Sequence, residues 1–242
     1  NKFGKDDWYI AKGIEMAKED LDLENYELIY EDSKCEGRDA VNAVNKLISV
    51  DKVHAIIGEL CSGATLAAAP IAEENKIVMV SPASTSPEIT NAGEYIFRTV
   101  PSDALQGNFG ANLVEEMGYG KLAILYSNED YGLGFSEVLQ EKFSGEVVAN
   151  EPFERGSTDL RAQITKIKNS KADAVYIISN SPDSAVAALK QLKQLNVKAQ
   201  IFGSEGLKSD DIIEGAGSAS DGMILTSVSS GIVPFFREHR RI

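Results

Sequence analysis

"VHAIIGELCSGATLAAAPIAEENKIVMVSP", residues 53–82, decides the fold. It opens on a short apolar run, VHAIIGE, that reads as a strand. ATLAAAPIAEEN follows at helical spacing. IVMVSP then returns as a second strand without polar alternation, the pattern of a strand covered on both faces. Strand, helix and strand at this length make a parallel βαβ unit. The turn between the first strand and the helix carries Ser62, Gly63 and Thr65, which is more hydroxyl and more backbone room than one helix cap requires.

The same alternation runs outward in both directions. Upstream, WYIAKGIEMAKEDL reads as a helix, YELIYED as a strand and RDAVNAVNKLIS as a helix. Downstream, KLAILYS, GEVVANEPF, ADAVYIIS, AQIFGS and DGMILTSV read as strands separated by the helices GFSEVLQEKF, DLRAQITKIKNS and PDSAVAALKQLKQL. One Ser-, Thr- and Pro-rich stretch, after IVMVSP, breaks the rhythm, and a second sheet begins near Lys121. Phe97–Ser102 is read as a crossover between two lobes and Leu225–Gly231 as the return. The expected fold is α/β, with two doubly wound parallel-sheet lobes joined by a hinge and incomplete at the N- and C-termini. Residues 1–100 form the first lobe, lacking its first strand, 101–228 the second, and 229–242 a return segment toward the first. The missing parts would leave apolar surface exposed.

Composition narrows the function. With 37 acidic residues against 24 basic ones the net charge is −13, which disfavours nucleic acid and anionic membrane surfaces as partners. No apolar run approaches the length that spans a bilayer, so no direct membrane insertion is expected. His54 and His239 are the only histidines. Neither stands at a strand tip beside a nucleophile, so no hydrolase triad forms. There is no CxxC and no zinc spacing, so no metal and no cofactor are expected. YGLGFSE lacks the third glycine of a dinucleotide loop. The pairs Glu73–Glu74 and Asp210–Asp211 read as solvated surface. The expectation is a protein that is not an enzyme.

What remains is a recurrence. CSGAT (61–65), SPASTSPE (81–88), NEDYGLG (128–134), SNSPD (179–183) and SEGLK (204–208) each follow a strand. In open α/β sheets, ligands bind beyond the carboxyl ends of strands. CSGAT offers hydroxyls and amides at a helix N-terminus, which suit a carboxylate. SPAST offers the Ala83 carbonyl and the Thr85 hydroxyl. Glu205, once buried, needs a cation. A carboxylate site and an ammonium site together describe an α-amino acid. Cys35 and Cys61 each follow a strand, and two readings stay open, buried free thiols or a disulfide formed in an oxidising compartment.

LCSGATLAAAPIAEENKIVMVSPASTSPEIT with FRTVPSDALQG resembles the branched-chain amino-acid-binding proteins of ABC transporters, solute receptors of the type I periplasmic-binding-protein fold. The resemblance runs from about Gly4 to Ser227 and is most specific over 58–107. It implies that Ser62 and Thr85 hold a ligand carboxylate. The Ala83 carbonyl, Thr85 and Glu205 take its ammonium, and Tyr131 closes from the second lobe. Ser84, in the same turn as Ala83, is counted with the ligand-binding set. The resemblance also implies a Cys35–Cys61 disulfide. It further implies delivery of an amino acid or similar zwitterion to a membrane permease, at a periplasmic or extracellular location that allows a lipid anchor. Two departures stand out. Asn180 occupies a second-lobe position where leucine-type receptors often carry an aromatic residue, which makes the side-chain pocket more polar. The first loop is longer, with Phe3, Trp8 or Tyr9 near the rim. The rival expectation is a sensor domain of the same fold for amides or small carboxylates.

Overall fold

The computed structural model describes residues 5–227 and divides the chain into two compact units, Asn1–Asp103 and Ala104–Ile242. The first holds helices α1 (Lys5–Asp20), α2 (Gly37–Ser49) and α3 (Ser62–Glu74) and a parallel sheet β1 (Ala55–Ile57), β2 (Val78–Ser81) and β3 (Ile96–Arg98) in that order. α2 buries Ala40, Ala43, Val44 and Leu47, the i, i+3, i+4, i+7 stripe of an amphipathic helix. α3 buries Ala64, Ala68, Ala69 and Ala72. These small side chains let backbones approach closely: a Cβ on Gly37, at the start of α2, would stand 3.1 Å from Ala67 Cβ. The core of this unit gathers Ala40, Val44, Ile56, Ala64, Met79, Ile89 and Ile96.

Two expectations for this unit are corrected. YELIYED is not a strand. Its side chains still alternate, with Leu28 and Tyr30 half-buried between exposed neighbours. The backbone of Glu27–Asp32 nevertheless pairs with no strand among the described residues, and a strand exists only by its ladder. Among the described residues, β1 is hydrogen-bonded on one side alone. Between β1 and residues 26–34 lies a cavity of about 830 Å³, also lined by Ile10, Ala11 and Ile14 of α1. Nor is the sheet covered on both faces, because Ile57, Val78 and Phe97 are exposed. Polar contacts of residues 26–34 include Glu31 with Lys46, and Ser33 donating to the Glu59 carboxylate.

The second unit is doubly wound. Its helices are α4 (Asp103–Glu116), α5 (Asp130–Lys142), α6 (Arg161–Ser170), α7 (Pro182–Gln194) and α8 (Asp210–Ala216). Its strands β4 (Lys121–Ser127), β5 (Glu146–Phe153), β6 (Ala174–Ile178), β7 (Gln200–Gly203) and β8 (Ile224–Leu225) form one parallel sheet in the order β5-β4-β6-β7-β8. Successive side chains of a strand point to opposite faces, and here both faces are dry. Leu122, Ile124, Tyr126, Ala174, Tyr176 and Ile178 pack with Ala111, Val114, Phe135 and Leu139. Ala123, Leu125, Val175 and Ile177 pack with Ile164, Ile167, Ala188, Leu192 and Ile212. The continuous apolar runs of β4 and β6 follow from this two-sided burial. The segment 229–242 and part of the return crossing lie outside the described residues.

Candidate functional site

In the first unit Cys35 and Cys61 form a disulfide with Cα atoms 5.3 Å apart. Cys61 is also the residue that caps α3, so the bond fixes where this helix begins. The first amide of α3 with a backbone partner is that of Thr65, which donates to Cys61 O at 3.0 Å. The amides of Ser62, Gly63 and Ala64 precede it and point out of the helix N-terminus, where partial positive charge favours an anion.

The hydroxyls of this unit divide into spent and unspent groups. Ser81 Oγ donates to Glu59 O at 2.6 Å and accepts from Ser84 N at 2.9 Å. Ser84 Oγ is buried against Thr65 Oγ1 (2.7 Å) and lies 3.1 Å from both Glu59 O and Leu60 O. These three side chains stitch the 59–65 turn to the 81–86 turn. Ser62 Oγ accepts from Ser86 N at 3.2 Å, so its proton stays available. Thr85 is held by its carbonyl, which accepts from Asp103 N at 2.8 Å and from Arg98 at 3.1 Å. Its hydroxyl has no partner among the described residues. Burial lowers the pKa of Arg98, and Asp103 opposes that shift. Ser86 Oγ, which the sequence did not single out, is buried without a partner.

In the second unit Tyr131, Ser204 and Glu205 come together. Tyr131, at the start of α5, is buried and donates to Ser204 Oγ at 2.8 Å. Gln106 on α4 reaches Glu205 Oε2 at 2.7 Å. Burial raises the pKa of the Glu205 carboxyl, and hydrogen bonds from Tyr131, from its own backbone amide and from Gln106 oppose that rise. Tyr131 has one hydroxyl proton, so it serves Ser204 or Glu205 but not both. Gly206 brings this turn against the next loop, since a Cβ there would lie 2.2 Å from Ser179 O. Asn180 follows Ser179, and its Oδ1 is buried with no partner. Glu129 caps α5 by accepting from Ser127 Oγ and from the amides of Tyr131 and Gly132. Burial raises its pKa against those bonds and the charge of Arg155; its groups are spent on the cap.

The structure thus gathers Ser62, Ala83, Ser84 and Thr85 in one unit and Tyr131, Asn180 and Glu205 in the other. Gln106 and Thr226 were not legible as site residues, because nothing local marks a glutamine as the partner of an acid 99 residues away or of a threonine 120 residues away. Glu73 proves structural in part, accepting from Tyr95 N at 2.9 Å. Phe3 lies outside the described residues, as does the side chain of Trp8, and Tyr9 is exposed. No metal-holding group of His, Cys, Asp or Glu occurs among the described residues, nor does any helix long and apolar enough to cross a membrane.

Parallel α/β units with small polar turns at the strand ends define the class: the type I periplasmic-binding-protein fold. Residues 10–230 match the model of the periplasmic binding protein family. The leucine-, isoleucine-, valine-, threonine- and alanine-binding protein of Pseudomonas aeruginosa is 32% identical over 204 residues, 82% of this chain and 54% of that protein. The Leu/Ile/Val-binding protein of Escherichia coli is 28% identical over 88% of this chain and 61% of its own length. Among solved structures, a leucine-binding protein of Thermotoga maritima matches with a TM-score of 0.83 and 30% identity, over 91% of this chain and 65% of that one. The branched-chain amino acid transporter substrate-binding protein of Streptococcus pneumoniae, solved with isoleucine, matches with a TM-score of 0.74 and 27% identity, over 85% and 60%. The chain belongs to the periplasmic binding protein family. It spans little more than half the length of the curated relatives it matches.

Proposed function

We propose that this chain is the ligand-capturing part of an extracytoplasmic solute-binding receptor that takes an α-amino acid, branched-chain or related, and passes it to an ABC transporter permease. The observation that carries this reading is the division of polar groups. In one unit the Ser62 hydroxyl, the Gly63 and Ala64 amides and the Thr85 hydroxyl are unspent donors, a set suited to a carboxylate. In the other, a partly buried carboxylate, Glu205, has hydrogen-bond donors but no cation among the described residues, and an ammonium supplies the missing charge. The two sets are complementary to the two ends of a zwitterion, with the Ala83 carbonyl a further acceptor in the first unit and Tyr131 beside Glu205 in the second. Ser84 serves by holding the turn, because its hydroxyl is already engaged. Nothing in the site supplies a nucleophile with a base, so capture proceeds without turnover. The disulfide agrees with a periplasmic or extracellular location, free or lipid-anchored.

The unpartnered Oδ1 of Asn180 favours a second reading, a sensor for ligands with an extra donor such as amides. A thermal-shift scan against the twenty amino acids, small amides and carboxylates decides between them. Saturating ligand at 100 times its dissociation constant stabilises the native state by about 2.7 kcal/mol. A shift with branched-chain or related amino acids that Glu205→Ala abolishes supports the receptor reading. Shifts with amides alone transfer the assignment to the sensor, and shifts unaffected by Glu205→Ala refute the ammonium assignment.

A further inference from the structure

Gln106 Nε2 lies 2.7 Å from Glu205 Oε2, 3.0 Å from the Thr226 carbonyl and 3.2 Å from Thr226 Oγ1. A carbonyl and an ionised carboxylate only accept, so both require the nitrogen end of the glutamine amide, and this fixes its flip. One N–H is committed to Thr226 and the other to Glu205. Thr226 is itself immobilised: its amide donates to Gly203 O at 2.9 Å, and its hydroxyl pairs with that of Tyr176. The Tyr176 ring stacks on Phe202 within the core. Gln106 and Thr226 are both buried, so water does not compete for these bonds. Tyr131 is the other side-chain donor near Glu205, but its one proton has an alternative acceptor in Ser204. Among the described residues Tyr131 is the titratable group that bears on Glu205, through a hydrogen bond, and no charged side chain does so. Gln106, with two N–H groups, is therefore the side-chain donor that serves Glu205 while also bonded to Thr226.

We propose that Gln106 is a positioning residue for Glu205: oriented by the Thr226 carbonyl, its amide fixes the carboxylate in one rotamer and one charge state. The role of Glu205 as acceptor of a ligand ammonium rests on the reading given under Proposed function, while the link from Gln106 to Glu205 does not. A carboxylate held ionised offers a full charge to a cation, whereas one that is protonated or rotated away offers a dipole. A glutamine suits this task because it donates without adding a charge of its own to the buried cluster.

The test uses the full chain labelled with carboxyl-carbon-13 glutamate. The ligand-free Glu205 carboxyl is titrated by NMR in the parent, in Gln106→Met and in the near-isosteric Gln106→Glu, and is assigned by its absence in Glu205→Gln. Removing the amide donor is expected to raise the Glu205 midpoint by about one pH unit in Gln106→Met. Gln106→Glu is expected to give two coupled steps, because two carboxyls then share one proton. Should Gln106→Met fail to fold, the Gln106→Glu titration decides alone. Calorimetric titration with L-leucine, L-isoleucine and L-valine between pH 5 and 8 gives the functional arm. Gln106→Met is expected to weaken binding about tenfold at neutral pH and to move the acid limb of the affinity profile to higher pH. Neither effect should appear in a Glu205→Gln background. An unchanged Glu205 midpoint in the folded variants overturns the proposal. A shifted midpoint with equal affinity in Glu205→Gln and the parent keeps Gln106 as the positioning residue and refutes Glu205 as the ammonium acceptor.

Discussion

Thr85 and Ser84 are adjacent and chemically alike, yet the structure engages the Ser84 hydroxyl and leaves that of Thr85 without a partner among the described residues. The Ser84 hydroxyl is surrounded by Thr65 Oγ1, Glu59 O and Leu60 O, so Ser84→Ala leaves buried acceptors short of a donor. Its expected cost is about 1–3 kcal/mol of stability, measured by denaturant unfolding, with ligand affinity following only through loss of fold. Thr85 is anchored by its backbone carbonyl, and its hydroxyl is unspent. Thr85→Val is expected to change stability by less than about 0.5 kcal/mol and to weaken amino-acid binding about tenfold. Equal effects of the two substitutions would remove the distinction. Glu205 carries a pH signature. Its folded-state pKa lies above the ordinary 4.5 through burial, so its contribution to stability is full below 4.5 and is lost as the pH rises through the raised value. Glu205→Gln is free of that loss. Without ligand, its melting temperature is expected to match the parent near pH 4.5 and to exceed it by a few degrees at pH 8. The strand-end position of Glu205 was legible because an acid among small residues in such a turn stands out. The Ser84–Thr85 division was not, because sequence shows which hydroxyls exist and not which are already used.

At the scale of elements, β4, β6 and α7 follow directly from apolar runs and amphipathic spacing, since both faces of their sheet are covered. YELIYED has the same local signal and forms no strand, because strand formation needs a hydrogen-bonded neighbour and none among the described residues adjoins Glu27–Asp32. Periodicity reports the preference of a segment; the ladder is a property of its surroundings. The consequence is measurable by hydrogen exchange. Gly58 N donates to Val80 O, so by strand alternation the amides of Ala55 and Ile57 point away from β2 toward the cavity. They and the amides of Glu27–Asp32 are expected to exchange roughly a hundredfold or more faster than those of Ile124 and Tyr176. Comparable protection would show that this edge is paired after all. The disulfide acts on the same region by closing the 26-residue separation between Cys35 and Cys61. Replacing both cysteines by serine is expected to cost about 3–4 kcal/mol in the chain-entropy model, read as a lower denaturation midpoint for the first unit.

For the whole molecule the governing quantity is charge. A net charge of −13 on 242 residues repels itself in the compact state more than in the expanded one. Local ion pairs oppose this only weakly. Lys46 with Glu31 and Asp51, Lys166 with Glu151 and Arg161 with Asp159 are surface pairs, and such pairs are worth about 0–1 kcal/mol each. Raising NaCl from about 10 mM to about 150 mM shortens the screening length from about 30 Å to about 8 Å. This suppresses repulsion across the molecule and leaves contacts of 3–4 Å much less affected. The ligand-free protein is therefore expected to melt at a higher temperature in the saltier buffer, with most of the gain complete by 150 mM. Under the proposed function, ligand affinity should hardly move over the same range, because hydrogen bonds to a carboxylate or from helix amides act at short range. Calorimetric melts and titrations along one salt series test both halves. A melting temperature that falls with salt would mean that the surface pairs outweigh the net charge. An affinity that falls steeply with salt would mean that long-range attraction, rather than the buried donors and acceptor, supplies the binding energy.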